Sequence, residues 1–408
     1  IPQCASSFLH SLFVEYFNTI SIDKFNEIIF KPMLKSIFYN TEEKMSKEII
    51  YRSVPFLQQF MKKSFQAVGV SAKDAQICAE ILITSDIRGI ESHGIGRLRM
   101  YIDRIKKGLI EVTNSSKIIK ESPTTAVVDG NHGIGMVIGH QSMELAIRKA
   151  KEFGLGAVAV RNSTHFGIDG YYPLMAVKQN MIGLSFTNAR PAVTPTFGTL
   201  PTLGTNPIAF GAPTDEEFPF LFDAATSITQ RGKIEVLNRK EKPVYNGWVI
   251  DSDGKPLEDA GVILNKLMDK EAALLPLGGA SEESGGHKGY GLSTIVEILS
   301  SSLQSGAFLF ALSGLDSDGK DTRFRVGHFF FALNIENFLP INDFKNNIGS
   351  LLRDLRSVRK YPGHDRIYTA GEKEFEVEKM IYKKGIAINP NLLADLTYLD
   401  NLLGIGDF

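Results

Sequence analysis

Short apolar runs alternate with longer segments of helical periodicity over residues 124–188, and this alternation constrains the fold more than any other feature. The runs TTAVV, GAVAV and IGLSFTN have the length and the β-branched content of buried strands, and the segments MELAIRKAKEF and YYPLMAVKQN lie between them. Alternating strands and helices are typical of α/β proteins that contain parallel strand pairs. The sequence therefore predicts an α/β core with partly parallel strands.

Helices are predicted before and after this core. Ser53 and Ser71 are suited to cap two helices, and residues 97–107 form a third helix that Gly108 ends. Two further strands, NPIAFGAP and FPFLFDAAT, follow a loop rich in proline and glycine at residues 189–205, which we expect to form a pocket wall. The segment HKGYGLSTIVEILSSSL is apolar on almost every side, which predicts a buried helix.

The composition is that of a globular protein. Hydrophobic residues make up 43% and charged residues 22% of the 408 residues, and no segment is long enough to predict a membrane span. With 45 basic and 46 acidic residues, the net charge of -1 gives no general attraction for nucleic acid or an anionic membrane. The two cysteines, Cys4 and Cys78, are too few for a disulfide framework or a zinc cluster, which favours the cytoplasm.

Residues 1–44 differ from the rest of the chain. They are crowded with aromatic residues and contain no arginine, and they fit neither a secretory nor a mitochondrial targeting segment. Met45 opens a stretch, MSKEIIYRS, that resembles an ordinary start. We therefore expect residues 1–44 to be an appended segment outside the domains.

Two histidines carry the first chemical signal. Residues 85–97, SDIRGIESHGIGR, place His93 four residues before Arg97, and NSTHFG places His165 after the GAVAV strand. Histidine exchanges a proton near neutral pH, and arginine can hold a carboxylate with two parallel hydrogen bonds. These residues predict chemistry on a small organic acid, and an oxidoreductase is the leading hypothesis.

Two other site types are not predicted. The segment GIGMVIG at residues 133–139 imitates a dinucleotide fingerprint, but its third glycine comes four residues after the second rather than three. A standard Rossmann domain is therefore not expected. The eight histidines include no HExxH pair and no pair at zinc-ligand spacing, so we predict neither a metal hydrolase nor a metal site.

A glycine-rich segment, LPLGGASEESGG, leads into the helix that begins near His287. Such an approach presents free backbone N–H groups and the positive end of the helix dipole, which suit a phosphate or a carboxylate. Lys288 adds a full positive charge there. The sequence predicts an anion-binding position at this helix start.

Six segments resemble, in chain order, the type 2 malate/L-lactate dehydrogenase family of NAD(P)-dependent oxidoreductases. They are SDIRGIESHGIGRL, NSTHFGI, LGTNPIAFGAP, FDAATSITQRGK, LPLGG followed by GGHKGYGL, and VGHFFFAL. The resemblance implies a family-specific, non-Rossmann α/β domain that binds the nicotinamide cofactor, at residues 121–324. It implies a helical substrate domain built from residues 45–120 and 325–408, and a homodimer with active sites near the subunit interface.

The resemblance also assigns roles to residues. The proton donor is His93 in some members and His165 in others, while Arg97 would hold the substrate carboxylate and Tyr101 would be a second substrate-binding residue. The family's Pro-Gly-Glu turn is Ala-Gly-Glu here, and EDAGVILNKLMDKEAA departs from the family's Thr-Asp-Pro type loop. The positions that match cofactor contacts are Thr187, Asn188, Asn206, Asp223, Ala224, Ala225, His287, Lys288, Gly289, Gly371 and Glu372.

The resemblance implies hydride transfer between NAD, or NADP, and C2 of a small 2-hydroxy or 2-oxo acid, with malate as the leading substrate. Other members act on L-lactate, sulfolactate, ureidoglycolate, diketogulonate or cyclic imino acids such as piperideine-2-carboxylate, and these alternatives stay open. A non-catalytic dimer that binds a nucleotide is a second class, because a fold does not by itself secure an activity.

Overall fold

The structure is a computed structural model that describes residues 49–113, 115–239 and 241–408. The larger compact unit of the chain comprises Tyr51–Ile386 with Asp395–Phe408, and Ala387–Ala394 belong to a second, smaller unit. The predicted appended segment, residues 1–44, lies outside the described residues. Within the described ranges, each helix is too short or too polar to cross a membrane.

The helices and strands follow the predicted alternation and add further elements. The helices of the described residues are α1 (Val54–Ala67), α2 (Ala72–Ile87), α3 (Leu98–Lys106), α4 (Gly135–Phe153), α5 (Tyr171–Val177), α6 (Arg231–Arg239), α7 (Ala260–Met268), α8 (Gly286–Ser301), α9 (Ile341–Ser357), α10 (Glu372–Lys384) and α11 (Pro390–Leu403). The strands are β1 (Ile50–Arg52), β2 (Lys117–Glu121), β3 (Thr125–Asp129), β4 (Leu155–Ser163), β5 (Met181–Thr187), β6 (Ile208–Ala212), β7 (Phe220–Ala224), β8 (Val249–Asp251), β9 (Ala272–Leu274), β10 (Val326–Asn334) and β11 (Ile386–Ile388).

The predicted helix caps are confirmed. The Ser53 side chain accepts a hydrogen bond from the Phe56 N–H at 3.4 Å, and the Ser71 side chain accepts one from the Asp74 N–H at 3.1 Å. Each bond satisfies a backbone donor that the first helical turn leaves free. α1 and α2 therefore start where the sequence predicts them.

A seven-stranded sheet forms the core, in the order β2-β3-β4-β10-β5-β6-β7. The α/β prediction is confirmed, but the pair β3–β4 is parallel and the other pairs of this sheet are antiparallel. The physical reason is β10, which lies antiparallel between β4 and β5 and keeps those two strands apart. β10 comes from residues that we assigned to the helical domain, and the proposed division into domains stays a prediction.

Helices cover both faces of the sheet. Gly156 and Gly183 both pair with Ala332, so they lie on the same face of the sheet. A Cβ added to Gly156 would lie 2.0 Å from a carbonyl oxygen of α4, and a Cβ added to Gly183 would lie 2.8 Å from atoms of α5. Gly327 lies on the other face, because side chains alternate along a strand. A Cβ there would lie 1.7 Å from a carbonyl oxygen of α8. Glycine thus lets α4 and α8 approach the sheet backbone closely.

The prediction that α8 is a buried helix is wrong for the single chain. α8 packs one side on the sheet and leaves an apolar stripe open, with Ile295 and Ile298 each 50% exposed. Gly291 lies on the same side, and a Cβ added to it would meet no atom within 4 Å. We call this surface the α8 stripe; its members are Leu292, Ile295, Ile298 and Leu303.

A smaller hydrophobic core lies away from the main sheet. It joins α6, α7 and the antiparallel pair β8–β9, and Trp248 packs against it. No helix or strand was predicted from the sequence in this region. The buried residues of this core are Val193, Leu203, Ile234, Val244, Val249, Ala260, Ile263, Ala272 and Leu274.

Candidate active site

A cavity of about 430 Å³ opens where α3, the loop after β4 and the ends of β5 and β7 meet. Its volume is within the range of small-molecule sites. Ala189, Arg190 and Thr205 also line it, which confirms the predicted pocket wall at the two ends of the loop. Six residues selected from the sequence line this cavity: His93, Arg97, His165, Thr187, Asn188 and Asp223.

One turn between α2 and α3 positions both His93 and Arg97. The Arg97 Nε–H donates to the Ser92 carbonyl oxygen at 2.6 Å, and His93 Nδ1 lies 2.8 Å from Ser92 Oγ. The Nε bond fixes the plane of the guanidinium and leaves its two terminal nitrogens for a ligand. This is the geometry that a bidentate carboxylate contact requires.

A buried carboxyl group on α2 holds this turn from behind. Asp86 Oδ2 accepts the Ile95 N–H at 2.7 Å, and a Cβ added to Gly94 would lie 1.8 Å from Asp86 Oδ1. Burial raises the pKa of Asp86 to about 8, although the Ile95 N–H lowers it. Glycine at position 94 is therefore required by close packing beside Asp86.

His165 is oriented by two groups that contact the same ring atom. The Gly167 N–H donates to His165 Nδ1 at 3.3 Å, and the Tyr101 hydroxyl lies 2.6 Å from that nitrogen. Because a backbone N–H can only donate, Nδ1 accepts and the ring proton lies on Nε2. The His165 ring stacks on the His93 ring, with centroids 5.5 Å apart and an interplanar angle of 23°.

Both imidazoles are neutral at pH 7 in the free protein. Burial and the positive charge of Arg97 lower the pKa of His93 to about 4. Burial lowers the pKa of His165 well below its ordinary value, and His93 and Arg97 add to the effect. His93 is therefore able to accept a proton, whereas neutral His165 presents its Nε2–H as a hydrogen-bond donor.

A buried carboxyl group, that of Asp169, and a half-buried one, that of Asp223, line the same cavity. Asp223 Oδ2 accepts the Gly170 N–H at 2.7 Å, and burial raises the pKa of Asp223 to about 6. Asp169 Oδ1 accepts the Ser185 hydroxyl at 2.5 Å, and burial and the charge of Asp223 raise the pKa of Asp169. The second oxygen of Asp169 is buried without a hydrogen-bond partner among the described residues. A ligand with a polar group could satisfy it.

Other predicted cofactor residues lie outside the lining of this cavity in the described chain. Asn206 donates to Glu297 Oε2 at 2.8 Å, which links the loop before β6 to α8. Glu372 is buried and accepts the Thr369 N–H at 3.0 Å, with Arg366 as its ion-pair partner. The roles of these residues stay predictions, as do those of Ala224, Ala225, His287, Lys288, Gly289 and Gly371.

The glycine-rich segment at residues 133–139 has a packing role. The Gly135 N–H at the start of α4 donates to Thr164 Oγ1 at 2.8 Å, and a Cβ on Gly135 would lie 2.1 Å from the Thr164 carbonyl oxygen. The segment therefore supports the loop that carries His165.

Several residues that line the cavity were not predicted from the sequence. Arg104 follows Arg97 by seven residues, which is two helical turns, and this spacing was the available signal. In the part of the chain that the structure describes, no group of three or more His, Cys, Asp or Glu residues could hold a metal ion. The unselected lining residues with polar or aromatic side chains include Arg104, Phe166, Asp169, Arg190, Phe324 and Glu374.

An α/β fold that brings two imidazoles and an arginine to one cavity defines a class of candidate enzymes that act on small acids. The sequence model of the malate/L-lactate dehydrogenase family matches residues 53–397, and the chain belongs to this family.

Relatives agree with the family assignment in sequence and in fold. The chain is 42% identical to a malate dehydrogenase of Pyrococcus horikoshii over 349 residues, which cover 86% of this chain and 94% of the relative. It is 40% identical to an L-sulfolactate dehydrogenase of Methanocaldococcus jannaschii, over 83% of this chain and 92% of the relative. The crystal structure of malate dehydrogenase from Entamoeba histolytica superposes with a TM-score of 0.85 at 45% identity, covering 88% of this chain and 99% of that one.

Proposed function

We propose that this chain is a nicotinamide-dependent dehydrogenase that interconverts malate and oxaloacetate. The observation that carries the proposal is the placement of Arg97, with its terminal nitrogens free, in one cavity with His93 and His165. The names of the relatives support malate as the substrate.

Arg97 binds the carboxylate at C1 of the substrate and so fixes the position of C2. The Ser92 carbonyl oxygen holds the guanidinium, and the substrate replaces water on its two terminal nitrogens. Positioning of this kind contributes several kcal/mol to the lowering of an enzymatic barrier. Loss of Arg97 would therefore weaken both capture and alignment.

The histidines move the proton of the 2-hydroxyl group. In malate oxidation, the neutral imidazole of His93 is the general base, because its low pKa keeps the ring unprotonated. Neutral His165 donates a hydrogen bond from its Nε2–H to the reacting oxygen. The positive charge of Arg97 is one cause of the low pKa of each ring. In oxaloacetate reduction, the bound substrate carboxylate offsets this charge. Substrate binding thus raises the affinity of the imidazoles for the proton that the product hydroxyl needs.

The cavity fits a nicotinamide cofactor. When bound, the cofactor supplies the hydride transfer to or from C2 of the substrate. The free carboxyl oxygen of Asp169 suits the carboxamide, and Thr187, Asn188 and Asp223 lie around the same space. We propose NAD as the cofactor, with NADP as the alternative. Comparing the oxidation of NADH with that of NADPH distinguishes the two.

We further propose that the chain functions as a homodimer in the cytoplasm. The α8 stripe supports the dimer, because monomeric proteins rarely expose a contiguous apolar surface of this kind. Gly291 beside it supports close approach of a second backbone, since a mid-helix glycine costs about 1 kcal/mol relative to alanine. The buried thiol of Cys78, which forms no disulfide, supports a reducing compartment.

The test is oxidation of NADH and of NADPH by the full chain with oxaloacetate, pyruvate, sulfopyruvate and piperideine-2-carboxylate. We expect the highest kcat/KM for oxaloacetate with NADH. A clearly higher kcat/KM for another acid would show that malate and oxaloacetate are not the preferred substrate pair. Quenching of Trp248 fluorescence by NADH without turnover of any acid would instead identify a non-catalytic nucleotide-binding protein.

A further inference from the structure

Three arginines line the cavity, although one carboxylate at C1 of a substrate needs only one of them. Arg97, Arg104 and Arg190 are all lining residues, and Arg104 lies close enough to the other two for their charges to act on it. Arg97 immediately precedes α3 and Arg104 lies on it, about two helical turns or roughly 10 Å further along the axis. The cavity therefore has a cationic side with more than one anion-binding position.

These charges have no ionic partner within the described ranges. No carboxylate of residues 49–113, 115–239 or 241–408 lies within ion-pair distance of Arg97, Arg104 or Arg190. The carboxylate of Asp321 acts on Arg104 from a distance, but it pairs with Lys107 at 3.1 Å. Neighbouring guanidinium groups repel one another, and an anion bound between them relieves the repulsion.

Arg104 is held in place rather than free in solvent. Its guanidinium lies over the Phe324 ring, 4.3 Å from the ring centroid, and Phe324 is almost fully buried. The backbone of Phe324 is fixed in turn, because its carbonyl oxygen lies 2.9 Å from His132 Nδ1. Burial lowers the pKa of Arg104, and the charges of Arg190 and Arg97 lower it further. Stacking on an aromatic face orients a guanidinium for a ligand while leaving its N–H groups free.

We propose that Arg104, with Arg190 beside it, binds a second carboxylate of the substrate and so selects dicarboxylic over monocarboxylic 2-oxo acids. This inference rests on the proposed function, in which Arg97 holds the first carboxylate. A monoacid leaves the cationic side without a partner, whereas a four-carbon diacid places one carboxylate on each side of the reacting carbon. Arg104 thus acts as a specificity-determining residue.

The experiment compares oxaloacetate with pyruvate in the full chain and in Arg104→Gln, Arg104→Lys and Arg190→Gln. Because a hydrogen bond to a charged group contributes about 1.5–3 kcal/mol, we expect Arg104→Gln to lower kcat/KM for oxaloacetate roughly 10- to 100-fold. Its kcat/KM for pyruvate should change by less than about 3-fold, since pyruvate makes no contact there. Arg104→Lys should recover part of the oxaloacetate activity, and Arg190→Gln should show a smaller loss with the same selectivity.

The matched control is Arg99→Gln on the same helix. Arg99 faces away from the cavity, where it pairs with Asp395 and lies 4.4 Å from the Tyr398 ring centroid, and its loss should leave both activities unchanged. If pyruvate turnover is too slow to measure, the inhibition constant of the monoacid oxamate replaces it. Equal losses for diacid and monoacid in Arg104→Gln, or no loss, would overturn the inference. A wild-type chain that reduces no 2-oxo acid would overturn the proposed function instead.

Discussion

The hydroxyl of Tyr101 and the backbone of Gly167 meet at one nitrogen of His165. Both groups contact Nδ1, so the imidazole presents Nε2 as its other nitrogen. Such a contact on the far side of a histidine ring sets both its tautomer and its orientation. At the scale of single residues, the site thus depends on how His165 is held as well as on the imidazole itself.

Tyr101→Phe tests this dependence. The substitution keeps the buried ring and removes the 2.6 Å contact to His165 Nδ1, so kcat should fall about 10-fold while folding is retained. His165→Ala should cost more, about 10² to 10³ in kcat, which is the usual cost of removing a hydrogen-bond donor that stabilises charge on the reacting oxygen. Steady-state kinetics with malate and NAD measure both effects. Tyr171→Phe is the control, because it removes a hydroxyl contact to Glu80 outside the cavity. An equal loss of kcat in Tyr171→Phe would contradict a specific role of the Tyr101 hydroxyl.

Asp86 should make stability depend on pH. Its pKa is about 8 in the folded chain and near 3.8 when unfolded, so between these values the unfolded chain binds fewer protons. Stability is therefore lost as pH rises from about 4 towards 8. Asp86→Asn cannot ionise, and its Tm should fall less between pH 5 and pH 8 than that of the wild type. Asp253→Asn, on the surface, should follow the wild-type curve. Parallel curves for wild type and Asp86→Asn would show that Asp86 does not titrate in this range.

Sequence reasoning at this scale succeeded where the signal was local. His93, Arg97 and His165 each lie in a short segment that suggests chemistry, and the structure brings all three to one cavity. Arg104 and Arg190 lie in ordinary surroundings in the sequence. Their proximity depends on how α3 packs against the loop after β5, which no local pattern encodes.

At the scale of elements, helix starts were predictable and strand neighbours were not. Ser53 and Ser71 act on donors only three residues away, so the sequence contains the whole interaction. The place of β10 in the sheet depends on pairing with strands far back in the chain. Its apolar run VGHFFFAL is typical of a buried central strand, but the neighbours of a strand cannot be deduced from its own residues.

The turn that carries His93 and Arg97 can be tested through its glycines. Gly94→Ala places a Cβ 1.8 Å from Asp86 Oδ1, so the turn must move, and overpacking of this kind costs about 1–3 kcal/mol. We expect kcat/KM to fall at least about 10-fold, together with the free energy of unfolding. Gly96→Ala in the same turn meets no atom closer than 3.7 Å and should be tolerated. If Gly94→Ala were as active as Gly96→Ala, the close packing described here would be incorrect.

At the scale of the whole molecule, the α8 stripe is the surface that a single chain leaves unsatisfied. The sequence analysis expected a buried helix there, and the apolar residues that supported this expectation are the ones the structure exposes. Hydrophobicity alone indicates that a surface needs a partner. It does not indicate whether the partner lies in the same chain.

Ile298→Asp tests the dimer. A charge at the centre of the α8 stripe would have to be buried against the second copy, which is strongly unfavourable for an unpaired carboxylate. Sedimentation velocity should show a dimer for the wild type and a shift towards monomer for the variant. Val262→Asp, at an exposed position on α7, should remain a dimer. A wild-type chain that sediments as a monomer would contradict the proposed assembly.

The late position of β10 in the chain has a consequence for biosynthesis. Gly327, at the start of β10, lies 140 residues after Thr187 at the end of β5. A ribosome adds about 5–20 residues per second, so about 7 to 28 seconds pass before the central strand is made. During that interval, the nascent chain has two strands whose facing edges lack their partner, and open edges invite mispairing. Synthesis of β10 therefore determines when this sheet can close.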